Sequence, residues 1–174
     1  MGLCEETGEN LYNRPMTKKA LLRVCDLLTF LLYVGALGLL FGPILETSTL
    51  VQETISFPGL WVFFGASPEI VLPSGLYAFS FRLNPGLLIG GMALILTLIS
   101  ALIDWGSRWN KLITTGLALV SFGILLFLRP LAVSSSSLVM DGLRLGLCSI
   151  FSLVLLGLAI ALSFTAFLVL RRKK

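Results

Sequence analysis

Residues 145–170 read LGLCSIFSLVLLGLAIALSFTAFLVL, 26 positions without a charge, closed by Arg171-Arg172-Lys173-Lys174. A helix needs about 20 predominantly apolar residues to cross roughly 30 Å of hydrocarbon at about 1.5 Å per residue. This run meets that length with enough left over to tilt. Three earlier uncharged segments come close to the same length: 27–45 with 19 residues, 83–103 with 21 and 112–128 with 17. The shortest is extended by Arg129, whose guanidinium can snorkel outward.

Composition agrees with that reading. Of 174 residues 56% are hydrophobic and 13% charged, and the mean hydropathy is +0.96. A soluble domain carries roughly 45–50% apolar and 25% charged residues, and it alternates them where this chain blocks them into runs. The expected fold is an all-α membrane protein, a four-helix transmembrane bundle. The first run is read as a retained span, because no small-residue cleavage pattern follows it. The start Met1-Gly2-Leu3-Cys4 departs from a myristoylation signal at Glu6, where Ser or Thr is wanted.

Orientation follows from Lys and Arg in the flanks. Arg14, Lys18, Lys19 and Arg23 precede the first span, Arg108 and Lys111 sit between the second and third, and Arg171, Arg172, Lys173 and Lys174 follow the fourth. The opposite flanks hold only Arg82, Arg129 and Arg144. Both termini are therefore expected in the cytoplasm (N-in/C-in) at the cell membrane. Lys18, Lys19, Arg23, Arg108, Lys111, Arg171, Arg172, Lys173 and Lys174 would anchor the inner surface, where anionic headgroups attract each by about 1 kcal/mol. The net charge of +4 is then a topology signal, and no nucleic-acid-binding pattern accompanies it.

The expected organisation is a cytoplasmic arm 1–19, spans 20–42, 85–104, 112–130 and 142–170, a folded outer loop 43–84, a cytoplasmic turn 105–111, an outer turn 131–141 and a basic tail 171–174. Gly42-Pro43 stops the first helix, Asn84-Pro85 opens the second and Asp141 starts the fourth. The 43–84 loop is too aromatic for a linker. Residues 75–82 alternate as a strand with Tyr77, Phe79 and Phe81 on one face, and 54–64 supplies its partner despite Pro58-Gly59. The expectation is a small antiparallel β-element whose aromatic side meets headgroups or the tops of the helices. Phe57, Trp61, Phe63, Phe64, Tyr77, Phe79, Phe81 and Arg82 are its candidate interaction residues.

In lipid, helices associate through close packing at small residues. Gly38 and Gly42, Gly86 and Gly90, and Gly142 and Gly146 are spaced four apart and predict that the first, second and fourth spans approach near the outer side. Asp26 has Arg23 at i−3 and Asp104 has Arg108 at i+4, so both carboxylates have local partners. Thr97, Ser100, Ser121 and Ser152 would bond their own helix backbones.

With no histidine and no cysteine pair at ligand spacing, neither a metal centre nor a cofactor is expected, and no catalytic residue is assigned. A four-helix chain with cytoplasmic ends, a larger first outer loop holding a sheet, Gly59-Leu60-Trp61 within it and Arg82 before the second helix resembles the claudin arrangement in outline. That family's paired loop cysteines, and its tryptophan just after the first helix, have no counterparts here, so no barrier function or residue role is carried over. The functional expectation is a non-enzymatic interaction protein, an accessory subunit or scaffold. Its partners would be membrane lipids and another membrane protein or a second copy. The alternatives are a small transporter or channel component, or a lipid-binding protein with a cavity under the loop.

Overall fold

The computed structural model of the protein describes residues 18–48, 53–103, 107–137 and 142–171. Among these residues four helices are long and apolar enough to cross a membrane: Ala20–Leu39, Pro85–Ile103, Trp109–Leu126 and Leu147–Val169. They are the apolar parts of α1 (Lys18–Leu39), α3 (Pro85–Ile103), α4 (Arg108–Leu126) and α6 (Leu147–Arg171). Between them lie β1 (Pro43–Ser48), β2 (Thr54–Pro58), α2 (Gly59–Phe64), β3 (Glu69–Leu72), β4 (Gly75–Ala78), α5 (Leu128–Ser134) and β5 (Leu143–Leu145). The extra elements gather at one end of the bundle, termed the loop end. Helix α1 packs on α6, α6 on α4 and α4 on α3, while α1 and α3 meet only loosely.

The β-structure is two antiparallel sheets, and its pairing differs from the expectation. Strand β2 pairs with β1, and β4 pairs with β3. Residues 59–64, expected as strand, form α2. Pro58 enters it from the extended region and Gly65 leaves it at φ 83°, a conformation that favours glycine. Residues 69–72, which lie between the two expected strands, form β3. Only Pro73-Ser74 remains to turn the hairpin.

The larger sheet has the order β2-β1-β5. Leu45 stands opposite Phe57 and Leu145, and Thr47 opposite Ile55 and Leu143. This face is buried at Leu45, Ile55, Phe57 and Leu143. The reverse face aligns Glu46 with Ser56 and Arg144. Hydrophobic-in and polar-out alternation of this kind fixes the register, since a one-residue slip would expose the whole apolar row.

Strand β5 explains why the fourth long helix begins at Leu147 and not at 142. Residues 143–145 satisfy their backbone groups against β1, and Gly146 N donates to Ile44 O at 2.9 Å. Asp141, expected to start that helix, and Asp104, expected to pair with Arg108, lie outside the described residues. The third span ends early as well. Phe127 breaks the helix and α5 continues from Leu128, so Pro130 falls in the first turn of a new helix, where a missing N–H is tolerated.

Candidate functional site

Phe57 sits at the centre of the loop-end core. The Phe79 and Phe81 rings meet it edge-on at centroid distances of 5.0 Å and 5.1 Å, with interplanar angles of 75° and 66°. Such T-shaped contacts put a positive ring edge on a negative face and add to the burial gain. Phe57, Phe63 and Phe81 are thus buried, Trp61, Tyr77 and Phe79 are half-buried against the same core, and Phe64 and Arg82 are exposed. Most of the aromatic set, expected to meet headgroups or the tops of the helices, is turned into the fold.

Besides Phe64 and Arg82, the loop end exposes a pair that was not singled out in the sequence. In the β3–β4 hairpin, Ile70 pairs with Tyr77 and Val71 with Leu76. Directly opposed residues share a face, so Ile70 and Tyr77 pack inward while Val71 and Leu76 point outward. Val71 is 79% exposed and Leu76 64%. The corresponding face of the larger sheet carries Glu46, Ser56 and Arg144, so the hairpin departs from the polar-out rule.

Beneath α2 an apolar groove of about 90 Å³ opens between α1 and α3, where those helices stand apart. Phe41, Leu60, Phe63 and Phe64 roof it, and Met92 and Ile95 form its wall on α3. A side chain at Gly91 would touch the Phe63 ring at 3.6 Å.

The six packing glycines behave differently from one another. A Cβ on Gly42 would fall 2.7 Å from Cys148 Sγ, and one on Gly146 would fall 2.4 Å from Pro43 O. These two glycines let the α1–β1 and β5–α6 junctions touch. Gly90 stands against Ile124 of α4, where a Cβ would come within 2.6 Å, and Gly86 faces Leu131 of α5. At its glycines the second span therefore approaches the third, while the first and fourth meet as expected. Gly142 lies beside Thr47 Oγ1, and nothing stands within 4 Å of a Cβ on Gly38. The tightest approach belongs to Gly59, where a Cβ would lie 1.7 Å from Leu40 O.

At the opposite end, Asp26 is not held by Arg23, which is exposed. Its Oδ1 accepts from Lys111 Nζ at 2.5 Å across the α1–α4 gap, with both side chains buried. Lys111 thus faces inward, away from the inner-surface role expected of it. Asp26 Oδ2 is buried without a hydrogen-bond partner among the described residues. Further along the bundle Thr115 Oγ1 and Ser163 Oγ lie 2.9 Å apart between α4 and α6, and the fully buried Tyr33 hydroxyl is turned toward Ser163.

The scattered hydroxyls also connect helices. Thr97 bonds its own helix at Ala93 O, as expected. Ser121, however, donates to Gly90 O and Ser152 to Ala36 O, each at 2.9 Å and each across to a neighbouring helix. Ser100 bonds Asn110 and Thr114 of α4. Small residues opposite the hydroxyls bring a foreign carbonyl within reach, which the sequence pattern of one helix does not disclose. Lys18, Lys19, Arg108 and Arg171 occupy helix ends, and Arg172, Lys173 and Lys174 lie outside the described residues.

Comparison with protein-family models, with curated proteins and with solved structures gave no match.

Proposed function

We propose that this chain is a non-enzymatic, multi-pass membrane interaction protein, oriented with both termini in the cytoplasm, that presents its loop-end fold to another membrane protein outside. The supporting observation is the outward face of the β3–β4 hairpin. Val71 and Leu76 are exposed there as a cross-strand apolar pair on an element whose other face is already packed. Fully burying two such side chains favours association by about 1.5–3 kcal/mol each. The polar groups of the bundle serve cohesion in this reading: they staple helix to helix. A photo-crosslinking residue at position 71 tests the proposal in cells. One discrete cross-linked membrane protein, or a cross-linked second copy, is expected, with none formed from position 83 as a control. A smear common to both positions would remove the basis of the reading.

A second reading is favoured by the groove under α2. An acyl chain entering between α1 and α3 would find Met92, Ile95 and Phe63 with no polar group to desolvate. Filling the groove with Gly91→Leu is expected to displace any co-purifying lipid seen by native mass spectrometry. Unchanged lipid retention would exclude the groove as its seat.

A further inference from the structure

A second recess of about 210 Å³ lies at the loop end, lined by Ser80, Arg82 and Ser134 to Ser137. Backbone pairing builds it. Arg82 N donates to Ser135 O at 2.6 Å, Ser137 N donates to Ser80 O at 3.0 Å, and Phe81 bridges to Ser136. Buried Asn84 locks the far wall by donating through Nδ2 to Leu131 O at 2.7 Å.

Two backbone carbonyls of this recess are engaged, Ser135 O by Arg82 N and Ser80 O by Ser137 N. The hydroxyls of Ser134 and Ser135 are spent on Leu131 O. Three of its side chains keep donors to give. Among the described residues the Arg82 guanidinium has no side-chain partner and the Ser80 hydroxyl has none. Ser137 Oγ accepts from Ser80 N at 3.0 Å, which leaves its own proton to give. A recess with a five-donor cationic fork and two hydroxyl protons to give suits a tetrahedral anion.

We propose that Arg82, Ser80 and Ser137 bind a phosphate group, and that a lipid headgroup supplies it. The lipid source follows from depth. Arg82 lies three residues before α3 begins its apolar run at Pro85, which sets the recess at headgroup level. This assignment is independent of the hairpin, so it can fail while the interaction reading stands.

The full chain in mild detergent, delipidated and then titrated with phosphatidylglycerol, tests it by native mass spectrometry. Wild type is expected to retain the lipid. Arg82→Gln should lose about tenfold in apparent affinity, the scale of one charge-assisted fork, and Arg82→Lys should lose less, because it keeps the charge without the fork. Ser80→Ala and Ser137→Ala, which leave the charge and carry the test if Arg82→Gln melts early, should each weaken binding about threefold. Arg144→Gln, an exposed charge at the same end outside the recess, should change nothing. Diacylglycerol, which lacks phosphate, should not bind there. Displacement of the lipid by millimolar inorganic phosphate, dependent on Arg82, would keep the phosphate site and reassign its source. Retention by Arg82→Gln equal to wild type, equal losses in Arg82→Gln and Arg144→Gln, or no binding of either phosphate probe to wild type would overturn the site.

Discussion

Lys111 and Asp26, 85 residues apart in the chain, form a buried ion pair that joins the first turn of α4 to α1, with Nζ 2.5 Å from Oδ1. Removing one partner leaves the other charged and buried, which costs about 3–5 kcal/mol in comparable pairs. Asp26→Leu and Lys111→Met should each lower the unfolding midpoint in mild detergent sharply. The double variant, neutral at both positions, should return to within about 1–2 kcal/mol of wild type. If the single losses merely add, the pair is not coupled.

The glycine contacts make a graded prediction. Gly59→Ala forces a methyl onto Leu40 O, a backbone atom, and Gly146→Ala does the same at Pro43 O. Both should destabilise by at least about 1–3 kcal/mol and yield poorly monodisperse protein. Gly38→Ala, with open space around its Cβ, should be neutral or stabilise by up to about 1 kcal/mol. Equal behaviour of the three in thermal unfolding would contradict the described junctions.

Asn84 acts twice. Its Oδ1 caps α3 by accepting from Gly86 N and Leu87 N at 2.9 Å and 3.3 Å, and its Nδ2 holds α5 through Leu131 O. Asn84→Ala should cost about 2–3 kcal/mol, more than a simple cap, because the Nδ2 bond that ties α5 to α3 is lost with it. Asn84→Asp keeps the cap and loses the donor, and it should fall between the two.

Orientation is open to labelling. In a Cys25→Ala, Cys148→Ala background, Ser74→Cys at the hairpin turn should react with a membrane-impermeant maleimide added outside intact cells, and Cys4 only after permeabilisation. The reverse pattern would invert the proposed topology.

The sequence disclosed the elements whose physics is local. Four uncharged runs of about helical-span length are legible because hydrocarbon thickness sets their length, and Asn84-Pro85 marks a helix start because capping is a short-range bond. Pairing was not legible. Residues 143–145 look like the first turn of an apolar helix until β1 is beside them, and β1 itself begins at Pro43, the residue expected to end a helix that already closes at Leu39. Residues 59–64 are as aromatic as a strand, but Gly59 must lie flat on Leu40 O, and that contact selects a helical turn. Lys111 counts as an inner-surface charge in any tally of flanks, and only the α1–α4 approach turns it toward Asp26. The aromatic residues of the loop signalled a folded core correctly. For the same reason they pointed away from the exposed site, since residues that build a core are spent there, and Val71 and Leu76 are ordinary strand residues until the register turns them outward.

The proposed interaction rests on those two side chains, so the direct measurement is quantitative isolation of the intact chain in mild detergent beside a Val71→Asp, Leu76→Asp variant. The wild type is expected to come out in fixed stoichiometry with another membrane protein or a second copy. The variant, melting at the same temperature, should lose that species by about a hundredfold or more, as burial of two apolar side chains implies. A wild type isolated as a bare monomer, or a variant that keeps its companion in full, would contradict the account.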